Sequence, residues 1–180
     1  MKYIQNSLII QTPNLVLHHF SIDDVHTVFL MSQEDGMRNW IPDQVYKDEQ
    51  EAAEVLQYLM EQYTDIPTPN ISPYVLGIEL KETGELIGHI GLSPIDDGNV
   101  EIGYAIAENQ QGNGYATEAV EKMTSWAINQ LGIPIIYGLV AKDNKPSCTV
   151  LEKAGYVFVE EKYKNSFGRN LLRRIYKKSI

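Results

Sequence analysis

The segment that decides the fold is 111–116, with the sequence Gln-Gly-Asn-Gly-Tyr-Ala. It joins a run of strand-forming residues, 100–107, directly to a periodic helical pattern that begins near Tyr115. Gly112 and Gly114 allow a ligand to approach the backbone, and the first N–H groups of a helix are unbonded and carry the positive end of its dipole. The junction therefore predicts a pyrophosphate site. The alternative interpretation is an ordinary glycine-rich turn before a capped helix.

The glycine spacing excludes two common phosphate loops. A nucleotide-hydrolysing loop needs Lys-Ser or Lys-Thr after its last glycine, and a dinucleotide-binding loop needs three glycines at fixed offsets. The pattern that is present, Gln-x-x-Gly-x-Ala followed by Thr-Glu-Ala at 117–119, resembles the acyl-CoA-binding motif of the GNAT superfamily of N-acetyltransferases. The resemblance covers nearly the whole chain and is closest to the branch of ribosomal-protein N-terminal acetyltransferases (RimJ/RimL-like).

Composition indicates one globular unit. A chain of 180 residues, 43% hydrophobic and 22% charged, predicts a single domain over 1–180. The net charge of −9 disfavours nucleic acid as a partner, and no segment is dense enough in Lys and Arg for a membrane surface. With one cysteine, no basic leader and no long apolar run, the chain is expected to be cytoplasmic and free of internal disulfides.

Hydrophobic periodicity predicts both helices and strands, which gives an α/β (α+β) fold class. Two helices follow the first strand; one begins at Ser21 and the other at a capping box of Asp48 with Glu51. A third helix begins near Tyr115, and a short fourth helix spans 147–153. The predicted strands are 8–20, 74–80, 86–93, 100–107, 135–141, 156–163 and 171–178.

The connections between these strands predict the sheet topology. Short turns link the three strands between residues 74 and 107, so these strands form an antiparallel meander. The strand 135–141 follows 100–107 through a helix, so the two are expected to be parallel. A mixed, mostly antiparallel sheet with one parallel pair beside segment 111–116 is similar to the GNAT fold.

A second motif lies after the strand 135–141. Asn144-Lys145-Pro146-Ser147 and the following 150–156 resemble the second half of the family signature. The resemblance implies that Asn144 bonds the pantetheine arm and that Ser147 lies near the sulfur, where its hydroxyl can donate to the leaving thiolate. Helix capping by Asn144 is the alternative that needs no ligand.

Acyl transfer to an amine needs a general base, because an alkyl ammonium has a pKa of roughly 10.4. Glu101 is the first candidate for that base, since it lies on the strand that leads to segment 111–116. A strand carboxylate paired with a neighbouring cation or with His89 is the alternative. Tyr104 is a candidate proton donor, a wall of the acceptor cleft or an ordinary core tyrosine, and a backbone N–H in 104–107 is expected to stabilise the oxyanion.

The remaining site residues follow from position and resemblance. Cys148 is expected to be a small buried residue rather than a nucleophile, and metal-binding spacings such as His-Glu-x-x-His are absent from the sequence. Acceptor-pocket candidates, for which a core role is the alternative, are Phe29, Met37 and Trp40. The residues expected to bind acetyl-CoA are Ala105, Ile106, Ala107, Gln111, Gly112, Asn113, Gly114, Tyr115, Ala116, Thr117, Asn144 and Ser147.

The sequence therefore predicts an acetyl-CoA-dependent N-acetyltransferase whose acceptor amine, from a small molecule or a protein N-terminus, attacks the donor directly in a ternary complex. The acidic balance of the chain favours a cationic acceptor such as a polyamine, an aminoglycoside or a basic protein terminus. A homodimer through the C-terminal strands is an expectation of the resemblance. The alternative function is a non-catalytic acyl-CoA sensor or interaction module on the same fold.

Overall fold

The structure, a computed structural model, describes residues 8–166 and 168–180. Eight strands in these residues form one sheet, and five α-helices and several short 3₁₀ turns lie around it. The helices are α1 (Val25–Ser32), α2 (Asp35–Trp40), α3 (Glu49–Glu61), α4 (Tyr115–Leu131) and α5 (Lys145–Lys153). The strands are β1 (Ile9–Gln11), β2 (Leu15–His18), β3 (Tyr74–Leu80), β4 (Leu86–Pro94), β5 (Val100–Ile106), β6 (Ile135–Ala141), β7 (Val157–Ser166) and β8 (Arg169–Ser179).

The strand order is β1-β2-β3-β4-β5-β6-β8-β7, and every pairing is antiparallel except that of β5 with β6. The parallel pair arises because α4 carries the chain across the sheet between the two strands. The predicted mixed sheet with one parallel pair is thus confirmed. The predicted antiparallel meander between residues 74 and 107 is also correct, with strand ends that differ by one residue at most.

The core lies between the sheet and the helices α4 and α5. The buried side chains of α4 follow the 3.6-residue repeat and pack against apolar residues of the central strands. A smaller cluster, formed by Phe20, Val28 and Leu56 with their neighbours, holds α1 and α3 against the other face of the sheet. The sheet therefore separates a face covered by α4 and α5 from a face covered by α1 to α3.

Three predicted boundaries were wrong. The strand 8–20 is two strands, because Thr12 Oγ1 and the Leu15 N–H and C=O bond each other and fold the chain into a hairpin. The first helical region is interrupted, and α2 is an additional helix that contains Gly36. The last helix begins at Lys145 rather than Ser147, because Asn144 caps it and a proline fits its first turn.

Candidate active site

The junction of β5 and α4 presents a row of unbonded amides. Gly112 and Gly114 adopt left-handed backbone conformations, with φ of 81° and 83°, and no atom lies within 4 Å of the position of a Cβ at either glycine. Among the described residues, no protein atom accepts a hydrogen bond from the N–H groups of 112–117; the first helical bond there is from Glu118 N–H to Gly114 O, at 3.1 Å. The amides and the helix dipole are therefore available to an anionic group.

The side chains of Gln111 and Asn113 stabilise the loop between β5 and α4 through hydrogen bonds to backbone carbonyls. The Gln111 side-chain amide donates to Ile106 O at 2.9 Å, and the Asn113 side-chain amide donates to Gln110 O at 3.0 Å. The first bond ties the loop to the end of β5 and the second ties it to the 3₁₀ turn 108–110, and neither uses the backbone amides of 112–117. Gln111 and Asn113, expected to bind the cofactor, thus also have a structural role in the loop.

Glu118, in the first turn of α4, anchors the N-terminal hairpin. Its carboxylate accepts hydrogen bonds from Thr12 Oγ1, from the Asn14 N–H at 2.8 Å and from the Asn14 side-chain amide at 2.9 Å. Burial alone would raise the pKa of Glu118, but these hydrogen bonds and the charge of Lys81 lower it below the ordinary value. Because the carboxylate lies beside the N-terminus of α4, it also fixes that end of the helix.

The strands β5 and β6 separate after a short contact. Their register pairs among the described residues are only Val100 with Ile136 and Glu101 with Tyr137. Ala107 N–H donates to Ile87 O at 2.8 Å, and hydrogen-bonded pairs alternate along an antiparallel ladder, so the odd-numbered residues of β5 bond β4. The N–H groups of Tyr104 and Ile106 therefore point into the gap between β5 and β6.

This geometry narrows the predicted oxyanion donors. Of the range 104–107, Tyr104 and Ile106 present their N–H groups to the gap, whereas Ala105 faces β4 and the Ala107 amide is already bonded. The β4–β5 ladder continues through the Ala107 N–H, so within the predicted range 104–107 the candidate donors are the N–H groups of Tyr104 and Ile106. Ala105, Ile106 and Ala107 still border the gap through their position at the end of β5.

Tyr104 and Ser147, two of the predicted catalytic residues, are in direct contact. The Tyr104 hydroxyl lies 2.9 Å from Ser147 Oγ and donates to Ser147 O at 3.1 Å. Burial raises the pKa of Tyr104, so its hydroxyl stays protonated at neutral pH. The pair joins β5 to the first turn of α5 and places two hydroxyl groups beside the gap.

Asn144 confirms the helix-cap interpretation. Its side-chain oxygen accepts from the Ser147 N–H at 3.3 Å, which leaves the side-chain NH₂ group as the part that can reach a ligand. Cys148 follows Ser147 in the same helix, is 3% exposed and lies in the core. Its position fits the prediction of a small buried side chain.

Glu101 lies on the opposite face of β5 from Tyr104, because side chains alternate along a strand. Burial raises the pKa of Glu101, and the charges of Arg173 on β8 and of Lys164 on β7 oppose that shift. Glu101 therefore has cations near it, as the alternative interpretation of a paired strand carboxylate expects. Burial lowers the pKa of His89 to about 4, so this histidine is neutral at neutral pH.

A cavity of about 590 Å³ lies between the segment 38–43 and the facing ends of β6 and β8. Trp40, a predicted acceptor-pocket residue, lines it and is 37% exposed. Met37 is buried and Phe29 is half-buried, and neither residue lines this cavity. Of the three predicted pocket residues, the structure therefore brings only Trp40 to the cavity.

Comparisons with known proteins identify the family. A family model described as an acetyltransferase (GNAT) domain matches residues 14–157. The chain belongs to the GNAT acetyltransferase family. The uncharacterized N-acetyltransferase YoaA of Bacillus subtilis (strain 168) is 27% identical to it over 150 residues, which cover 82% of each chain.

Solved structures show the same fold. A GNAT-family acetyltransferase from Bacillus anthracis has a TM-score of 0.80 at 19% identity, over 96% of this chain and 98% of that one. RimL, described as a ribosomal L7/L12 alpha-N-protein acetyltransferase in complex with coenzyme A, has a TM-score of 0.81 at 15% identity, over 96% and 98% of the two chains. The predictions of a GNAT fold and of an acetyl-CoA-dependent acetyltransferase are confirmed by the family membership.

The GNAT domain has site residues that the sequence analysis missed. Arg173 and Asp43 are close enough to Glu101 for their charges to shift its pKa, although they lie far from it in sequence. Glu34 and Glu108 form a reciprocal clasp: the Glu108 N–H donates to Glu34 Oε2 at 3.0 Å, and the Gly36 N–H donates to Glu108 Oε1 at 2.8 Å. No local pattern marks these residues, because each acts across a tertiary contact.

Within the part of the chain that the structure describes, no group of three or more His, Cys, Asp or Glu side chains could hold a metal ion. No helix in the same residues is long and apolar enough to cross a membrane.

Proposed function

We propose that this GNAT protein transfers the acetyl group of acetyl-CoA to a primary amine by direct attack within a ternary complex. One observation carries the proposal. The unbonded amides of 112–117 adjoin the gap between β5 and β6, and this gap has Glu101 on one face and the Tyr104–Ser147 pair on the other.

The donor half of the site supports the binding of a CoA thioester. The amides of 112–117 and the dipole of α4 suit a diphosphate, and the left-handed glycines leave room for it. Strand N–H groups in the gap, at Tyr104 and Ile106, suit the amide-containing pantetheine arm and the acetyl carbonyl. The helix cap uses the side-chain oxygen of Asn144, so its NH₂ group is a further candidate donor for the arm.

The chemistry divides between the two faces of β5. Glu101 takes a proton from the acceptor ammonium, and the neutral amine forms a C–N bond with the acetyl carbonyl carbon. The carbonyl oxygen gains negative charge beside the Tyr104 N–H, and this charge collapses as the C–S bond breaks. The leaving thiolate receives a proton from the Tyr104–Ser147 pair. The second proton lost by the amine nitrogen then returns to this pair. Glu101 finally releases to solvent the proton that it took from the ammonium.

Burial makes Glu101 suitable as the base. A carboxyl whose pKa is raised above its ordinary value accepts a proton more readily near neutral pH than an exposed glutamate does. The positive charge of Arg173 limits this rise in the pKa of Glu101. The raised pKa is therefore a property that general-base catalysis requires.

We infer that the catalytic domain includes the C-terminal hairpin and extends beyond the matched range 14–157. The strand β8 lies between β6 and β7 in the sheet and carries Arg173, so the site is incomplete without it. The predicted domain 1–180 begins with residues 1–7, which lie outside the described residues. A cytoplasmic location remains part of the proposal.

The direct test combines binding and turnover. Isothermal titration should show saturable binding of CoA and acetyl-CoA, and a panel of primary amines should release CoA thiol with formation of N-acetylated product by mass spectrometry. Double-reciprocal plots of the initial rate at several fixed acetyl-CoA concentrations should intersect, as a ternary complex requires. Cys148→Ala should retain activity because no acyl-enzyme forms. Absence of CoA binding at high micromolar concentration would contradict the proposal.

The second candidate, a non-catalytic sensor, makes a different prediction for the same assays. It requires CoA binding without thiol release across the amine panel. Parallel initial-rate lines with loss of activity in Cys148→Ala would instead show a covalent route and refute direct attack.

A further inference from the structure

The cavity beside Trp40 has a charge opposite to that of the whole chain. The sequence contains four arginines and has a net charge of −9, yet three of the four arginines line this one cavity. These three are Arg38 on α2 and Arg169 and Arg173 on β8, and Lys142 adds a fourth cation. The expectation of a cationic acceptor was based on the net charge, which does not describe this local surface.

The arginines come from two separate elements that face each other across the cavity. Arg38 precedes Trp40 on one wall, and Arg169 and Arg173 lie on the strand that forms the other wall. Guanidinium groups bind carboxylates and phosphates through paired N–H donors, which makes arginine the preferred residue for such groups. Apolar surface from Trp40, Pro42 and Leu171 leaves room for a short carbon chain beside them.

Acidic residues offset only part of the positive charge at this cavity, which has four cations and two carboxylates in its lining. Asp43 and Asp143 are the two carboxylates in the lining. The charge of Asp43 acts on Arg173, and Lys142 forms an ion pair with Glu161 at 2.9 Å. Arg173 and Lys142 therefore have acidic partners within the protein. Arg38 makes a long contact with the neutral Gln33 side chain, at 3.4 Å, and is exposed.

The cavity adjoins the reaction site through two connections. Ala141, in its lining, accepts the Asn144 N–H at 2.9 Å, and Asn144 in turn caps the helix that carries Ser147. Arg173, also in the lining, acts on the charge of Glu101. A molecule that occupies the cavity is therefore close to both the base and the end of the gap.

We propose that the acceptor is an amine that carries an anionic group, a carboxylate or a phosphate, and that Arg38, Arg169 and Arg173 bind this group while the amine extends towards Glu101. This inference rests on the proposed function for the role of the amine. It specifies the substrate class, because a simple polyamine would place a second cation among the arginines.

Three amines of equal length test the charge preference: 4-aminobutanoate, 4-aminobutanamide and 1,4-diaminobutane. The acid should have the highest kcat/KM for thiol release, about tenfold above the amide, and the diamine should have the lowest. A second pair, 3-aminopropanoate and 2-aminoethyl phosphate, distinguishes carboxylate from phosphate as the bound group. Equal or better turnover of the diamine would overturn the inference.

Binding provides a readout that does not depend on activity. Trp40 is one of two tryptophans, and the other, Trp126, stacks on Tyr74 with ring centroids 5.7 Å apart, away from the cavity lining. Titration of 4-aminobutanoate should change tryptophan emission saturably, and Trp40→Phe should abolish the change. The amide should need about tenfold higher concentration for the same change.

Substitutions of the exposed arginines connect the preference to the cavity. The double variant Arg38→Gln with Arg169→Gln should remove the advantage of the acid in both assays. The fourth arginine, Arg174, contacts Glu161 and Phe158 outside the cavity, so Arg174→Gln is the matched control and should keep the preference. A double variant that keeps the full preference for the acid would refute the inference.

The two readouts separate this inference from the proposed function. Thiol release without any preference among the three amines would overturn only the anionic acceptor. Saturable, arginine-dependent binding of 4-aminobutanoate without thiol release from any amine would support the anionic site and refute catalysis. Failure of both assays would reject both.

Discussion

The two faces of β5 are built in different ways. The side proposed to bind the donor comprises segment 111–117, Tyr104 and the start of α5, and it consists mainly of backbone groups. The acceptor side brings Glu101 together with Asp43 and Arg173, which come from three distant parts of the chain. In the proposed mechanism, the donor side therefore recognises its ligand through backbone geometry, and the acceptor side recognises its ligand through the charges of side chains.

The difference has a physical consequence for substitution. Backbone amides survive most side-chain changes, so the donor side should respond only where the backbone conformation itself changes. Charged groups on the acceptor side depend on one another for their pKa values, so a single neutral substitution alters the whole group. Variants on the two faces should therefore affect different kinetic constants.

The largest effect is expected for Glu101→Gln. Loss of a general base typically lowers the rate by about 10²–10⁴-fold, and kcat/KM should fall by that amount while the affinity for CoA stays unchanged. Burial raises the pKa of Glu101, and only the carboxylate accepts a proton, so wild-type activity should fall as the pH drops through a value above the ordinary pKa of glutamate. Steady-state rates across pH check this, since the acidic limb should vanish in Glu101→Gln.

Glu79→Gln is the matched control for that variant. Glu79 is a carboxylate on β3 of the same sheet and pairs with His18 at 3.5 Å, away from the cavity and the gap. Its activity and pH profile should match the wild type. A Glu101→Gln protein with an intact acidic limb would exclude this residue as the base.

On the donor side, Gly114→Ala should weaken CoA binding by about tenfold. Gly114 has a φ of 83° and open space at the Cβ position, so alanine strains the backbone that positions the amides of 112–117. Gly84→Ala is the matched control, because Gly84 has a φ of 71° and equally open surroundings in the β3–β4 turn. Calorimetric titration and thermal unfolding should show a similar loss of stability in both variants and weaker CoA binding in Gly114→Ala alone.

The sequence predicts the elements of the fold that local signals mark, and it misses those that depend on contacts between distant residues. The strands between residues 74 and 107, the helix after Gly114 and the parallel pair were predicted, because periodicity and turn residues are local signals. The hairpin at Thr12 and the extra helix α2 were not predicted. Thr12 closes the hairpin through its contacts with Leu15 and Glu118, and α2 is held by Glu108, so both depend on tertiary contacts.

The candidate site shows the same limit. The sequence predicts Tyr104 from its strand and Ser147 from the second motif, but the contact between them depends on how α5 packs beside β5 and is seen only in the structure. Arg173 and the cavity arginines have no sequence signal, since their function depends on the position of β8 beside β6. Met37 is buried, Phe29 is half-buried and neither lines this cavity, because an apolar pattern also marks side chains that pack inside the protein.

A smaller effect, about tenfold in kcat, is expected for Tyr104→Phe. Removal of the hydroxyl takes away the contact with Ser147 Oγ and a proton source for the thiolate, whereas the backbone N–H stays in the gap. Ser147→Ala should have a similar effect. The double variant should lower kcat by less than the product of the two single effects, because both residues serve one step.

Tyr156→Phe, which removes a buried hydrogen bond of 2.6 Å to Thr124, is the control for stability and should leave kcat unchanged. Fully multiplicative losses would refute a shared proton donor.

The smallest effect concerns the clasp that connects the two sides. Glu34, on the acceptor side, accepts from the Glu108 N–H at 3.0 Å, and Glu108 accepts from the Gly36 N–H at 2.8 Å. Burial and the nearby charge of Glu108 raise the pKa of Glu34, while its backbone bond opposes the rise. Glu34→Ala removes the acceptor and frees the start of α2, so KM for the best acceptor should rise by about two- to fivefold. Glu34→Gln keeps an oxygen acceptor and removes the repulsion, so it should restore the wild-type KM. If Glu34→Gln matched Glu34→Ala in a full kinetic comparison, the charge rather than the hydrogen bond would position α2, and the two faces of β5 would be coupled through electrostatics alone.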